Sequence, residues 1–161
     1  MASAKKRSRK PGLEVMAEQI AGQSGVIPYR LGPDGLQVLL ITSRETHRWV
    51  IPKGNIGKGM TARDSAAREA FEEAGIQGVM QDVPLGFYTY GKVLKDGREQ
   101  PTVVEVFALR IIEQAKKWPE KKERTCNWMA PIEAARAVQE PGLAILLLRL
   151  AEIHATSSVQ S

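Results

Sequence analysis

The chain has 161 residues, of which 43% are hydrophobic and 25% are charged, a balance typical of one globular domain with its own core. Its net charge is +5, but the first ten residues carry five positive charges and no acid, so residues 11–161 are neutral. This distribution argues against a basic nucleic-acid-binding domain. The apolar run 143–148 is too short to span a membrane. The single cysteine, Cys126, excludes a disulfide framework and predicts a reducing, cytoplasmic location.

Three regions are expected along the chain. Residues 1–18 form a basic and flexible tail, which either aids solubility or weakly anchors a polyanion. Residues 19–155 form the domain, and residues 156–161 form a frayed C-terminus.

The first half of the domain is predicted to contain strands followed by a helix. A Pro-Asp-Gly turn at 33–35 between two β-rich stretches indicates an antiparallel hairpin. After a glycine-rich loop, Thr61 is a good helix N-cap and Gly75 a good C-terminal stop. The elements predicted here are strands at 24–30, 36–44 and 48–52 and a helix at 62–74.

The second half is predicted to contain another hairpin, a short strand and two helices. The hairpin turns at Asp96-Gly97, and Pro141-Gly142 separates the two helices. The order of strands, helix, strands and helices predicts an α+β domain with a mixed or antiparallel sheet. The elements are strands at 83–94, 101–111 and 125–130 and helices at 131–139 and 143–155.

The predicted helix at 62–74 carries a cluster of like charges. Glu69, Glu72 and Glu73 fit an arc of roughly 100° on a helical wheel. We place Ala67 and Ala74, together with Phe71 and with Ala70 at the border, on the opposite face, which should pack on the sheet. Like charges at i,i+4 and acids near a helix C-terminus are both destabilising. A hard divalent cation such as Mg²⁺ would compensate.

The loop before this helix adds phosphate chemistry. Lys53 and Lys58 are positively charged residues that could bind phosphate, and the glycines let a ligand approach the backbone closely. The loop lacks the Gly-Lys-Ser/Thr run of a P-loop. Lysines, glycines and three carboxylates together indicate metal-assisted phosphoanhydride chemistry.

This stretch resembles the Nudix box, G-x5-E-x7-R-E-U-x-E-E-x-G-U, with Gly54 at its start and residues 68–76 at its end. The resemblance covers roughly residues 20–150. The stretches "VLLITSRETHRWVIPKG" and "WPEKKERTCNWMAPIEAA" are most similar to the diphosphoinositol polyphosphate phosphohydrolase-like branch and its bacterial relatives. The family implies an α/β/α sandwich with a mixed sheet, helices on both sides and a catalytic loop–helix–loop.

Two positions depart from the family pattern. Met60 stands where the box has its first Glu, and Ala70 stands where a larger aliphatic residue is usual. The first Glu generally supports the loop–helix–loop, so its loss should affect the rigidity of this segment more than the catalytic chemistry. The carboxylates that carry catalysis in the family are all present.

The resemblance implies hydrolysis of a phosphoanhydride bond, with Mg²⁺ or Mn²⁺ as cofactor and water as the attacking group. The substrate would be a small phosphorylated molecule: a diphosphoinositol polyphosphate, a dinucleoside polyphosphate or a related nucleotide. The alternatives are a weakly active or inactive nucleotide sensor and an RNA 5′-end pyrophosphohydrolase. Neither a membrane nor a nucleic acid is an expected partner, and we expect a monomer or a homodimer.

The resemblance also implies roles for individual residues. The catalytic residues would be Glu72, Glu69 and Arg68, and the metal ligands Glu69, Glu72, Glu73 and the backbone carbonyl of Lys53. Glu105 is a candidate accessory base, and the alternative is a solvated strand carboxylate. The expected substrate contacts are Arg44, Arg48, Lys53, Gly54, Lys58, Lys92 and Arg124.

Overall fold

The computed structural model describes residues 21–160. The expected basic tail at 1–18 and the last residue lie outside the described residues.

The described chain forms eight strands and three helices, with a short 3₁₀ turn at Lys121–Glu123. The strands are β1 (Gln23–Gly32), β2 (Gly35–Thr42), β3 (Trp49–Val50), β4 (Lys53–Asn55), β5 (Ile76–Met80), β6 (Gly86–Val93), β7 (Glu99–Gln114) and β8 (Cys126–Met129). The helices are α1 (Ala62–Ala74), α2 (Pro131–Ala137) and α3 (Pro141–Gln160).

The strands form one mixed sheet centred on β1. β1 pairs antiparallel with β2 and β4, and parallel with β7. β2 also pairs with β3 and β8, whereas β7 also pairs with β5 and β6. Both predicted hairpins, β1–β2 and β6–β7, are confirmed.

Helices cover both faces of the sheet, as the resemblance implies. One core lies under α1, where Val26 and Phe107 pack with the small side chain of Ala70. The other lies under α2 and α3, where Ile27 and Leu40 belong to the same cluster as Leu147. Strand side chains alternate between the faces, so β1 contributes to both cores.

Two strands and the extent of α3 differ from the prediction. β4 has three residues within the Gly-Lys loop, and β5 contains Gly78 and a register shift, so neither has an alternating apolar pattern. α3 begins at Pro141, because proline is favourable in a first helical turn. It runs to Gln160, beyond the predicted helix end at 155.

Within the described residues, no helix has both the length and the apolar content required to cross a membrane.

Candidate active site

Local hydrogen bonds set both ends of α1 where the sequence predicts them. Thr61 Oγ1 accepts from the backbone N–H of Asp64 at 3.0 Å, which caps the N-terminus. Gly75 adopts a left-handed φ of 69°, and its N–H reaches carbonyls of the preceding turn. Glycine takes this conformation without the steric cost of a side chain, so the helix stops there.

The buried face of α1 differs from the predicted one. Ala67 is exposed and Phe71 is half-buried, so our assignment of these two side chains to the sheet-packed face was wrong. The buried residues of the helix are Ser65, Ala66, Ala70, Glu73 and Ala74. Three of them are alanines at i,i+4 spacing, whose small side chains let the helix lie close to the sheet. Because this face of the helix packs against the sheet, the Glu73 side chain is buried as well.

Glu69 lies directly against Gly54 of β4. A Cβ atom added at Gly54 would stand 2.4 Å from Glu69 Oε1, closer than any ordinary contact, so the absence of a side chain creates the notch that holds this carboxylate. The Glu69 side chain is only 12% exposed. Burial, followed by the charge of Glu72, raises the pKa of Glu69 above its usual value.

Glu73 is buried and held at both carboxylate oxygens. Oε1 accepts from the backbone N–H of Lys53 at 3.2 Å, and Oε2 lies 3.3 Å from Arg124 Nη2. Burial raises the pKa of Glu73 to about 7, even though the Arg124 charge opposes that shift. The protein therefore fixes the orientation of both Glu73 carboxylate oxygens without a bound ligand.

Arg68 lies between the remaining carboxylates and Met60. Its guanidinium nitrogens stand 3.9 Å from both Glu69 Oε1 and Glu72 Oε1. Nη1 lies 3.1 Å from the sulfur of Met60, the residue at the position of the first box Glu. The Met60 thioether thus contacts the Arg68 guanidinium but, unlike a glutamate, adds no negative charge. Glu72 is the most solvent-accessible of the three acids, with 40% of its side chain exposed.

A row of residues across three strands extends the site. Ser24 in β1 lies opposite Gly54 in β4 and opposite Glu105 in β7. Residues two positions apart in a strand lie on the same face of the sheet. Val26 and Phe107, which follow Ser24 and Glu105 by two positions, belong to the core under α1, so this row also lies on the α1 side. Glu105 is buried, which excludes the alternative of a solvated strand carboxylate. Ser24 is fully buried, and its Oγ has no hydrogen-bond partner among the described atoms.

Four of the predicted substrate contacts line one cleft of about 490 Å³, which also reaches Glu73. Arg48 Nη1 bonds Glu140 Oε1 at 2.7 Å, and Lys53 Nζ lies 4.8 Å from the Tyr90 ring centroid. Burial lowers the pKa of Lys53 below its ordinary value. The four cationic residues are Arg44, Arg48, Lys53 and Arg124.

The other expected contacts lie apart from this cleft. Lys92 Nζ bonds Asn55 Oδ1 at 3.1 Å and lines a neighbouring groove, while Lys58 is exposed in the loop before α1. Gly54 faces Glu69 rather than open space. Arg124 does line the cleft, but its side chain is only 8% exposed, and its guanidinium donates hydrogen bonds to Glu120 Oε1 and the Thr42 carbonyl.

Sequence reasoning missed several residues of the site. Tyr90 lines the cleft, and its hydroxyl donates to Gln23 Oε1 at 2.8 Å. Ser24 and Glu140 are buried near or within this polar region. A usable signal was present only for Ser24, because a polar pair, Gln23-Ser24, opens an otherwise apolar strand.

The donor set fits a hard cation that takes few protein ligands. No three carboxylate, histidine or cysteine side chains within residues 21–160 are grouped closely enough to enclose an ion alone. Mg²⁺ commonly uses one or two carboxylates and completes its shell with water and phosphate oxygens. Glu69 in its notch, Glu73 beside the Lys53 backbone, and the unpaired Ser24 hydroxyl supply oxygen atoms of this kind.

Solved structures share this fold. A Caenorhabditis elegans Ap4A hydrolase matches 83% of the chain with a TM-score of 0.62 at 19% identity, over 98% of that protein. The dihydroneopterin triphosphate pyrophosphohydrolase of Escherichia coli matches 80% of the chain with a TM-score of 0.63 at 17% identity, over 93% of its own length. At these identities the likeness concerns the fold.

Curated relatives are more similar in sequence. Nudix hydrolases 12 and 13, mitochondrial, of Arabidopsis thaliana are both 34% identical over 69% of this chain. The matched region spans 63% of each of those two relatives. Nudix hydrolase 16, mitochondrial, is 33% identical over 73% of this chain and 72% of its own length.

These names correct the predicted location. We expected a cytoplasmic protein, and that prediction is wrong, because relatives at 33–34% identity carry the name mitochondrial. A lone cysteine indicates reducing surroundings and does not select one compartment.

The family assignment rests on most of the domain. The model of the NUDIX domain matches residues 23–150, from the first residue of β1 to the middle of α3. This range contains α1, the notch at Gly54 and the cationic cleft. The chain therefore belongs to the Nudix family.

Proposed function

We propose that the protein is a pyrophosphohydrolase that uses Mg²⁺ or Mn²⁺ to cleave a phosphoanhydride bond in a diphosphate-containing substrate. The observation that carries this proposal is a pair of carboxylates, the largely buried Glu69 and the buried Glu73, beside a cleft lined by cationic side chains. Burying like charges near a helix C-terminus is costly, and a site for a cation offsets that cost.

Each acid has a distinct part in this proposal. Glu69, Glu73 and the Lys53 carbonyl hold the cation, which when bound neutralises phosphate charge and lowers the pKa of water. Arg68 keeps Glu69 and Glu72 in register through its two contacts. Glu72 is exposed enough to reach water and orients it for attack at phosphorus.

Glu105 is the accessory base in this proposal. Its strand is two positions from β4 in the sheet, so its backbone lies about 10 Å from Gly54. Ser24 stands between them in the same row. A water held at the Ser24 hydroxyl would connect Glu105 with the carboxylates of α1.

The lining of the cleft favours a phosphate-rich substrate. Arg44 and Lys53 face it, and Arg48 contributes a guanidinium anchored by Glu140. Tyr90 is the one aromatic residue among the described lining, and Lys53 already lies over its ring. A base-stacking platform is therefore poorly developed. Diphosphoinositol polyphosphates rank first by this argument, and dinucleoside polyphosphates and related nucleotides follow.

A substrate panel tests the proposal. Wild-type protein with Mg²⁺ or Mn²⁺ is expected to release phosphate from at least one diphosphate-containing compound, while Glu72→Gln and Glu73→Gln lower kcat by about 100-fold or more. Glu133→Gln, an exposed acid in α2 outside the proposed site, is the matched control and keeps wild-type activity. Undiminished turnover in both site variants would refute the hydrolase proposal. Tight nucleotide binding without cleavage would support the sensor alternative.

A further inference from the structure

We propose that residues 114–124, here called the clamp segment, position the metal-binding Glu73 through Trp118, Glu120 and Arg124. This inference rests on the proposed function, because it assigns Glu73 to the cation. Trp118 acts on the main chain of Glu73, and Arg124, oriented by Glu120, acts on its carboxylate. All three are positioning residues: Trp118 and Glu120 do not line the cleft, and Arg124, which does, has its guanidinium bound to Glu73, Glu120 and the Thr42 carbonyl.

The clamp segment binds the C-terminal end of α1. The last carbonyls of a helix have no partner within it, and they are usually left to water or to a cap. Here, hydrogen bonds from the segment occupy four consecutive carbonyls. They run from Glu120 N to Glu72 O at 3.0 Å, Trp118 Nε1 to Glu73 O at 3.2 Å, Gln114 Nε2 to Ala74 O at 3.0 Å, and Ala115 N to Gly75 O at 2.8 Å.

Trp118 fixes this end of the helix in a second way. Its indole ring packs on Gly75, where an added Cβ would stand 2.3 Å from a ring carbon. The ring therefore fits only because Gly75 has no side chain. The hydrogen bond from the indole N–H and the packing of the ring on Gly75 therefore both restrict the position of the last turn of α1.

Arg124 holds the side chain of Glu73. Its Nε and Nη2 contact Glu120 Oε1 at 3.0 and 2.9 Å, and Nη1 donates to the Thr42 carbonyl at 3.0 Å. These three bonds leave Nη2 facing Glu73 Oε2 at 3.3 Å. A guanidinium is planar and rigid, so fixing two of its edges fixes the direction of the third. Glu120 thereby sets the rotamer of Glu73 without touching it.

Such an arrangement suits positioning better than stability. Arg124 and Glu73 have side chains only 8% and 9% exposed, and a buried ion pair is weak evidence for stabilisation because desolvation opposes the attraction. Residues that orient a metal ligand typically change metal affinity or activity by about 10–100-fold when they are replaced.

The test compares three conservative variants with matched controls. The variants are Trp118→Phe, Glu120→Gln and Arg124→Lys. The controls replace a similar side chain outside the clamp segment: Trp49→Phe, which packs on the core under α2 and α3, Glu133→Gln in α2, and Arg98→Lys between β6 and β7. Calorimetry measures Mn²⁺ affinity without substrate, and steady-state kinetics separate kcat from KM.

We expect each clamp variant to weaken Mn²⁺ binding by about 10-fold and to lower kcat by a similar factor, with KM changed less than about 3-fold. We expect the controls to match wild type. In wild-type protein the Trp118 indole ¹⁵N–H signal, identified by its loss in Trp118→Phe, should resist hydrogen exchange and shift when Mg²⁺ is added.

Two results would overturn the clamp. One is normal Mn²⁺ affinity in variants that have lost unfolding free energy, which would leave the segment a purely structural role. The other is a wild-type protein that binds no Mn²⁺. Wild-type binding that is weakened in the variants, but without turnover of any substrate, would support the clamp and refute the proposed hydrolase. If Trp118→Phe does not fold, Glu120→Gln and Arg124→Lys still decide the outcome.

Discussion

Gly54→Ala is expected to disable the site while leaving the fold intact. The new Cβ would stand 2.4 Å from Glu69 Cδ and Oε1 and 2.7 Å from Oε2. Ordinary contact begins at 3.4 Å, so the carboxylate must move by about 1 Å. A 1 Å misplacement of a reacting group can lower the rate by about 100-fold.

The same substitution is expected to change the free energy of unfolding by less than about 1 kcal/mol. The clashing atoms are the far end of a flexible side chain, and moving Glu69 off its rotamer costs about 1 kcal/mol. Gly54 does not have the positive φ that demands glycine, so alanine also restricts the unfolded chain and offsets about 0.4–1 kcal/mol.

The assay pairs phosphate release from the best substrate with urea unfolding. Gly22→Ala is the matched control, because an added Cβ there meets no atom within 4 Å. Adding Glu69→Asp to Gly54→Ala shortens the displaced side chain by one methylene and is expected to recover part of the lost activity. A folded Gly54→Ala protein with activity within about 3-fold of wild type would refute the role of Glu69.

Three further predictions follow from the site. Met60→Glu places a carboxylate beside the Arg68 guanidinium; because that cation is 42% exposed, urea unfolding should show a gain below about 1 kcal/mol, and a loss would contradict the supporting role of a Glu at this position. Ser24→Ala removes a buried hydroxyl without a partner, so metal-free protein should gain about 1 kcal/mol while turnover falls, and unchanged turnover would contradict the bound water. The pKa of Glu73 is raised to about 7, so its contribution to stability is present below about pH 4.5 and is lost as pH rises through 7. The unfolding free energy of metal-free wild type relative to Glu73→Gln should therefore fall by about 3 kcal/mol between about pH 5 and pH 8, and a difference that is flat or rises with pH would contradict this burial.

Features that depend on neighbours in the chain could be predicted from the sequence. The limits of α1 at 62–74 follow from Thr61 and Gly75, because a cap is a hydrogen bond or a backbone conformation within a few residues. The hairpins follow from their turn residues for the same reason. The Nudix-box pattern, with Gly54 at its start and residues 68–76 at its end, was sufficient to identify the family.

The sequence by itself thus determined the family, the helix that carries the acids and the two hairpins, since each depends on residues close in the chain. Only the tertiary structure decided which face of α1 is buried, that Gly54 forms a notch for Glu69, and that the guanidinium of Arg124 lies against Glu73. Arg124 and Glu73 are 51 positions apart in the sequence, and they meet because the chain leaving β7 folds back over the end of α1. Burial of that kind depends on how distant elements pack, which local patterns do not record.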